Sequence, residues 1–413
     1  MPSKRSLILA SAILLSLACS SLLPAEEGKP PSKTSPWKPE DVVFAEFISD
    51  FSLSPDARSV VWIKSEGDKE KDERISNLFL TSLTEDRTLQ LTRGSNTVSL
   101  PHWSPDSEWI AFLSSRPRPA AKPETAATQL WLISAHGGEA YALTELARAP
   151  RLLQWLDNDT LLFSAQEDPS AYEQAQKKKK DDSEVVDDAD HEPSVRLFKI
   201  AVKDKKITRL TTNADWIAHW SASKDGKYAV AVHERSLHYT FDQKVPPVTF
   251  LHNLADGSEK QIFTEGRIYP NILAWAPDNS GFYALAPFSN DPKFLTATIQ
   301  LLYFYDLASG KSSPVPLDWE NGAGRDLHAT NDGFVTLLAA GAHYDVAHYT
   351  REKSADSWRW KRVTMEGENS RNIHTSMSVR MEKHSFINPR PPAACPSFIA
   401  PNWMGPSSPS LRN

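Results

Sequence analysis

Cysteine is nearly absent from this sequence of 413 residues, which contains only Cys19 and Cys395. We expect the segment around Cys19 to be removed on export, which would leave a single thiol in the mature chain. One thiol excludes an intrachain disulfide and a metal site made of cysteines. Ample material for a packed core is present instead, because 40% of the residues are hydrophobic and 13 are tryptophan.

An excess of positive charge and a long apolar run are also missing. The net charge is −6, and the basic run Lys177–Lys180 is cancelled by the acids that follow it, so we expect no nucleic-acid partner. The apolar run Leu7–Leu17 is too short for a comfortable transmembrane helix. We therefore expect no membrane span.

The motifs of several enzyme classes are absent as well. The sequence has no Gly-x-Ser-x-Gly nucleophile elbow, no His-Glu-x-x-His, no phosphate-binding glycine loop and no dinucleotide fingerprint. His136-Gly137-Gly138 imitates an oxyanion loop, but it lies between two strand patterns and is interpreted as a hairpin turn. We predict no catalytic, cofactor-binding or metal-binding residue in this chain, and no cofactor.

A few histidines are weaker candidates for a site. His233 and His238 flank the segment "ERSLHY" and could face a channel, although such histidines are more often ordinary sheet or turn residues. His191 follows three acids, Asp187, Asp188 and Asp190. An acidic loop without fixed geometry is a poor basis for a metal site, so none of these residues is assigned as a ligand.

The organising feature of the sequence is the stretch Leu100–Thr144, which is typical of four short strands. Ser104-Pro105-Asp106-Ser107 forms a tight turn, because proline presets φ at the second position and aspartate bonds back to the backbone. The run Trp109–Leu113 is apolar at every position, which predicts a strand that is buried on both faces.

The same unit recurs along the chain at intervals of roughly 50 residues, which is typical of a propeller blade. The turn aspartates of the units are Asp56, Asp106, Asp157, Asp225, Asp278 and Asp332. We predict an all-β fold, a β-propeller of four-stranded blades at about 48–92, 98–145, 152–212, 215–264, 268–316 and 326–368. A stripe of tryptophans is interpreted as core: Trp62, Trp109, Trp131, Trp155, Trp220 and Trp275.

The N-terminal residues 1–25 have the pattern of a secretory signal peptide. Lys4 and Arg5 precede the apolar run, and small residues lead to a cleavage site after Ala25. We expect an exported protein, periplasmic or extracellular, with lipid attachment at Cys19 as the alternative. Residues 26–47 are interpreted as a linker and a short N-terminal segment, with a helix between Trp37 and Phe47.

Two further segments depart from the repeat. A charged insertion at 167–193 is interpreted as a solvated hairpin extension or a mobile loop. Residues 372–379 match the first strand of a seventh blade, so we place the propeller at 48–380. The remaining residues, 381–413, contain seven prolines and cannot complete that blade. Permitted codons from Arg380 onward allow a shifted frame that restores an Asp-Gly turn and a strand, and we hypothesise a frameshift there.

The repeats "LSPDARSVVWI", "HWSPDSEWIAFLSSR" and "QLWLISAHGGEAYALT" resemble the amino-terminal propeller of the prolyl oligopeptidase family of serine peptidases. The segments "WKPEDVVFAEFISDFSLSPD" and "SLHYTFDQKVPPVTFLHNLADG" are similar to its secreted bacterial acylaminoacyl-peptidase or dipeptidyl-peptidase branch. The resemblance extends from about Trp37 to Val379.

This resemblance implies a propeller that filters peptides by size, followed by an α/β-hydrolase domain with a serine, an aspartate and a histidine. The hydrolase domain is absent from this sequence, so no catalytic residue can be transferred and we expect the chain alone to be inactive. The implied partners are peptides or a hydrolase domain. The alternative is a stand-alone Tol-type periplasmic propeller that binds other proteins.

Overall fold

The structure is a computed structural model that describes residues 38–70, 72–94, 96–118, 128–166, 171–179, 191–265, 268–291, 293, 298–341, 343–354 and 357–363. The chain divides into two compact parts, at Ala45 and Glu46. The first part contains helix α1 (Pro39–Val43), as predicted for this segment. The predicted signal peptide, the start of the linker, the seventh-blade strand and the tail 381–413 lie outside the described residues.

The second part is built from antiparallel strands, 24 of them among the described residues. Blades 1 and 2 consist of β1 (Phe47–Leu53), β2 (Ser59–Asp68), β3 (Glu73–Ser82), β4 (Thr88–Gln90), β5 (Val98–Trp103), β6 (Trp109–Ser114), β7 (Gln129–Ser134) and β8 (Tyr141–Ala142). Blades 3 and 4 consist of β9 (Leu153–Trp155), β10 (Thr160–Gln166), β11 (Val195–Ala201), β12 (Ile207–Arg209), β13 (Trp216–Ala222), β14 (Tyr228–Glu234), β15 (Val248–Asn253) and β16 (Glu259–Ile262).

Blades 5 and 6 consist of β17 (Ile272–Trp275), β18 (Gly281–Phe288), β19 (Ile299–Asp306), β20 (Lys311–Pro314), β21 (Ala323–Ala329), β22 (Gly333–Ala340), β23 (His343–Ser354) and β24 (Ser357–Val363). Within each blade, consecutive strands pair antiparallel. The all-β propeller class predicted from the repeats is confirmed. The number of blades in the complete ring stays a prediction, because the seventh lies outside the described residues.

Five hydrophobic cores hold the blades together, and each core lies between two consecutive blades. Strand β6 shows how this works. Ile110 and Phe112 belong to the core shared with blade 1, whereas Ala111 and Leu113 belong to the core shared with blade 3. Successive side chains of a strand point to opposite faces, so the strand is buried on both faces, as its uninterrupted apolar sequence predicted.

The tryptophans follow the predicted stripe only in part. Four of its members are buried in the inter-blade cores: Trp131, Trp155, Trp220 and Trp275. Trp109 is only partly buried against its core. Trp62 is also half-buried and stacks on Phe79 at 4.8 Å between ring centroids. The assignment of Trp62 to the core was therefore wrong.

The charged insertion contains a helix, α2 (Ala171–Lys179), rather than a hairpin. Its sequence "AYEQAQKKK" is rich in strong helix formers, and Glu173 near its start and the lysines near its end suit the helix dipole. None of its side chains is buried, which agrees with the expected solvated surface. Glu173 forms an ion pair with Arg148 in the connection between blades 2 and 3.

Candidate functional site

The connections between strands divide the propeller into two unequal faces. Because consecutive strands are antiparallel, the first-to-second and third-to-fourth connections of a blade lie on one face, here the turn face. The second-to-third connections and the links between blades lie on the opposite face, here the loop face. First-to-second connections have at most five residues. The long connections, between β6 and β7, β10 and β11, β14 and β15 (235–247), and β18 and β19, start and end on the loop face.

The turn face is built from one repeated turn. In blade 2 the Ser104 hydroxyl donates to Oδ1 of Asp106 at 2.5 Å, and the same oxygen accepts the Glu108 N–H at 3.1 Å. Neighbouring turns are also bonded to each other, since the Asp106 N–H donates to Oδ1 of Asn158 in blade 3 at 3.1 Å. Most polar groups of these turns are thereby used within the turn face itself.

Hydrogen bonds from tryptophan side chains join the first strands of neighbouring blades. Trp103 Nε1 donates to the Ser52 carbonyl at 2.9 Å, Trp155 to the His102 carbonyl at 3.1 Å, and Trp275 to the Ser221 carbonyl at 2.7 Å. Trp103 was missed in the sequence, although its position directly before the Ser-Pro-Asp turn was a usable signal. First strands of successive blades thus lie side by side, as expected around a common axis.

Four of the six first strands are bulged, β1, β5, β13 and β21, and the polar residues at these bulges are here called the inner row. The strand registers shift between Ser49 and Phe51, Ser99 and His102, Ile217 and His219, and Ala323 and Leu327. Bulges re-aim side chains and are common beside functional sites. The ionisable residues in or next to these bulges are Asp50, His102, His219, Arg325, Asp326 and His328.

The histidines of this inner row differ in exposure, since His219 is exposed whereas His102 and His328 are half-buried. Loss of hydration lowers the pKa of His102 to about 4, and a weaker attraction from Asp50 opposes the shift. Loss of hydration also lowers the pKa of His219, against the attraction of Glu234. His328 Nε2 contacts the Asp326 carboxylate at 2.8 Å. The row therefore offers imidazoles, carboxylates and the exposed guanidinium of Arg325, a combination suited to hydrogen bonding with polar peptide groups.

The loop face also carries apolar side chains that are open to solvent. The connection at 235–247 presents Leu237, Phe241 and Val245, and the side chain of Phe241 is 86% exposed. In blade 5, Phe288 and Ile299 are exposed and lie opposite each other at the ends of two paired strands. Exposed apolar patches of this kind often mark sites of protein or ligand contact.

The histidine-glycine segment predicted to be a hairpin turn is one. Gly137 and Gly138 have φ of 93° and 109°, and Gly137 N–H donates to the Ser134 carbonyl at 3.0 Å. The His136 ring contacts the Glu108 carboxylate at 2.9 Å on the surface.

The other histidines named from the sequence are not brought together. His238 is exposed and precedes helix α3 (Tyr239–Asp242). His191 stacks on Tyr172, with ring centroids 3.8 Å apart, whereas the three aspartates before it lie outside the described residues. His233 does not face a channel, because it is buried and contacts Asp215 and His252. Nothing in the sequence linked His233 to His252, since the contact depends on how the blade folds.

In the part of the chain that the structure describes, no group of three or more histidine, cysteine, aspartate or glutamate side chains is arranged to hold a metal ion. No helix there is long and apolar enough to cross a membrane.

Comparison with known proteins finds similarity to peptidases. No protein-family model matches the chain. Over 107 residues it is 31% identical to the uncharacterized peptidase YuxL of Bacillus subtilis (strain 168), a match that covers 26% of this chain and 15% of that protein. The acylaminoacyl peptidase of Pyrococcus horikoshii superposes with a TM-score of 0.53 at 14% identity, over 75% of this chain and 46% of the other.

The chain is similar to the β-propellers of peptidases. A solved acylaminoacyl peptidase in complex with Z-Gly-Gly-Phe-chloromethyl ketone agrees, with a TM-score of 0.52, 14% identity and coverage of 78% of this chain and 47% of that one. The predicted resemblance to the propeller part of a prolyl oligopeptidase-family peptidase is confirmed. The chain spans less than half the length of each of these three proteins.

Proposed function

We propose that this chain is the substrate-gating propeller of an exported serine peptidase of the prolyl oligopeptidase family, and that it is inactive without a hydrolase domain. The observation that carries the proposal is the 107-residue match to a peptidase at 31% identity in a chain that has the propeller fold. The peptide-bond chemistry belongs to the hydrolase domain. The residues of this chain would admit and orient the peptide.

The geometry supports a gate with two parts. Peptides would first meet the apolar side chains of the loop face, of which Phe241 is the most exposed. They would then pass the inner row of first strands, where Asp50 and His219 offer charge and hydrogen bonds. Rigid inter-blade cores keep that row at a fixed width, which would favour short or extended peptides over folded proteins.

Peptide binding to the purified chain tests the gate. Fluorescence anisotropy of a labelled, unstructured peptide of about ten residues should show saturable binding, which Phe241→Ser on the loop face weakens at least about fivefold. Leu83→Ser is the matched control, because Leu83 is 52% exposed on the turn face. Equal loss in both variants, or no binding at all, would remove the gating proposal.

Catalytic inactivity is tested separately. The purified chain should neither hydrolyse a fluorogenic acyl-dipeptide nor react with a fluorophosphonate probe for active serines. Turnover blocked by the probe would show that the chain has its own nucleophile. Nucleotide sequence around the 3′ end of the reading frame supplies the second test, since we expect a hydrolase-encoding frame there, whereas a stand-alone Tol-type propeller would have none.

Export is the remaining part of the proposal, and it is supported by Lys4, Arg5 and the apolar run that follows them. Expression in a bacterial host followed by fractionation should place the chain outside the cytoplasm. Mass spectrometry should then find a mature N-terminus at Glu26. A lipid-modified Cys19 at the N-terminus would favour the lipoprotein alternative, and an intact Met1 would contradict export.

A further inference from the structure

Four ionisable side chains form a continuous chain through blade 4. The Asp215 carboxylate contacts Nδ1 of His233 at 2.7 Å, and Nε2 of His233 contacts Nε2 of His252 at 3.0 Å. Nδ1 of His252 lies 3.4 Å from the carboxylate of Glu259. The two imidazoles are almost fully buried, with 1% and 3% of their side chains exposed, whereas the two acids reach solvent at 23% and 46%.

These four linked side chains lie between blades 3 and 4. Ala229 and Ala231 in β14 belong to the core shared with blade 3, and His233 is on the same side of that strand because side chains alternate. His252 is paired with Ala229 and therefore shares this side. Asp215 belongs to the link between the two blades, where Asn213 Nδ2 donates both to its carboxylate at 2.9 Å and to the Val195 carbonyl of blade 3 at 3.0 Å.

Counting protons shows which charge state fits this geometry. With one proton beyond the neutral pair, His233 donates to Asp215 and to His252, and His252 donates from Nδ1 to Glu259, so every contact has a donor and an acceptor. Without that proton, one contact loses its donor. With a second one, two N–H groups face each other across 3.0 Å, and the pair repels.

The electrostatic surroundings agree with a single shared proton. Burial and the positive charge of His233 lower the pKa of His252 to about 4, against a weaker attraction from Asp215. Burial alone would raise the pKa of Asp215, but hydrogen bonding and charge from His233 hold it below its ordinary value. On the blade 3 side, Arg196 is a charged residue close to these four side chains. Its Nε donates to the Asn213 carbonyl at 2.8 Å.

We propose that Asp215, His233, His252 and Glu259 are a proton-operated latch between blades 3 and 4, closed by one proton shared between the imidazoles and opened by a second. Opening of the latch would directly affect a connection on the loop face. His233 is the penultimate residue of β14, and the connection that carries Phe241 begins immediately after that strand. Acidification would therefore loosen the connection with the most exposed apolar side chain of the loop face.

Imidazole nitrogen NMR on the wild-type chain tests the latch without any substitution. At pH 7 the shifts should report one imidazolium and one neutral ring that share a proton, and His252 should become charged only near pH 4. Two rings that are both neutral at pH 6, or that titrate independently near pH 6.5, would overturn the proposal.

Hydrogen exchange with a matched pair of variants gives the second test. Between pH 6.5 and about 3.5, after correction for intrinsic rates, amides of β11, β13 and β14 should lose at least about tenfold protection in the wild type. His252→Gln, which keeps a donor and an acceptor but cannot take the proton, should reduce this loss. His219→Gln, in the same blade but not one of the four linked residues, should leave the loss of protection unchanged. An identical loss in all three proteins would overturn the latch, whatever its effect on peptide binding.

Discussion

Individual tryptophans at one repeated position have different hydrogen-bonding partners. Trp275 donates to a carbonyl of the preceding blade at 2.7 Å, whereas the indole N–H of Trp220, equally buried, has no partner among the described residues. Blades 3 and 4 are linked instead by Gln154, the residue before Trp155, through two hydrogen bonds with Ala222, each 3.0 Å long. Equivalent positions in two blades therefore hold one tryptophan whose N–H is hydrogen-bonded and one whose N–H has no partner among the described residues.

This difference predicts unequal costs for the same substitution. Trp275→Phe should lower the free energy of unfolding by about 1 kcal/mol more than Trp220→Phe, because only the former breaks a buried hydrogen bond. The loss of ring volume is the same in both. Urea unfolding followed by far-ultraviolet circular dichroism measures the two values, and equal losses would contradict the hydrogen-bond explanation.

Among the elements, strand β23 is tied to the turn of the preceding blade by a buried arginine. The Arg351 side chain is 3% exposed, and it contacts the Asp278 carboxylate at 2.7 Å and the Ser280 hydroxyl at 2.8 Å. Its guanidinium also lies over the Trp358 ring at 4.7 Å. The pKa of Asp278 is lowered because hydrogen bonds from Ser280 and Arg351 outweigh the effect of burial.

Removing only one partner of the Arg351–Asp278 ion pair should lower the free energy of unfolding more than removing both partners. Asp278→Ala should lower stability by about 2–4 kcal/mol, because a buried guanidinium loses its counter-charge. Adding Arg351→Met should recover part of that loss, and the double-mutant cycle gives the coupling energy. Asp225→Ala is the comparison, since its partner Lys227 is 70% exposed and such pairs contribute less than about 1 kcal/mol. Purely additive losses would argue against a coupled pair.

The insertion in blade 3 should be dispensable for the fold. Helix α2 buries none of its side chains, so it adds little to any core. Replacing residues 168–190 with a short Gly/Ser linker should change the melting temperature by no more than about 2 °C. Calorimetry measures this shift, and a much larger drop would show that the Arg148–Glu173 ion pair supports the neighbouring blades.

At the scale of the whole molecule, mild acid should destabilise the propeller before its carboxylates are protonated. The pKa of His102 is about 4 in the folded chain, against an ordinary value near 6.5. The unfolded chain therefore takes up a proton that the folded chain refuses. The contribution of His102 to the free energy of unfolding is greatest above pH 6.5. It falls by up to about 3 kcal/mol as the pH drops toward 4.

His102→Gln should flatten this part of the stability profile, and His136→Gln, on the surface, is the control. Unfolding midpoints in urea at half-unit steps from pH 7 to 4 provide the measurement. If the variant and the wild type keep parallel profiles, burial of His102 is not the cause of the acid sensitivity.

Much of this architecture could be predicted from the sequence, because a blade is a local object. The turn around Asp106 and the strand Trp109–Leu113 have short-range signals, and their repetition predicts the fold. The contact between His233 and His252 had no such signal, since it depends on how strands pair in space. Helix α2 was missed because charge suggested a solvated loop while its helix formers were not weighed. The bulges at Asp50 and Leu100 left no mark in the hydrophobic pattern.

The bonded turns determine where this scaffold tolerates extra sequence. Asp106 and Asn158 join neighbouring turns, so a residue added at either one would disturb two blades at once. The connection at 235–247 lies on the opposite face, and its short helix buries none of its side chains. An engineer who wishes to graft a recognition peptide or a reporter onto this protein should therefore choose that connection and leave the opposite rim unaltered.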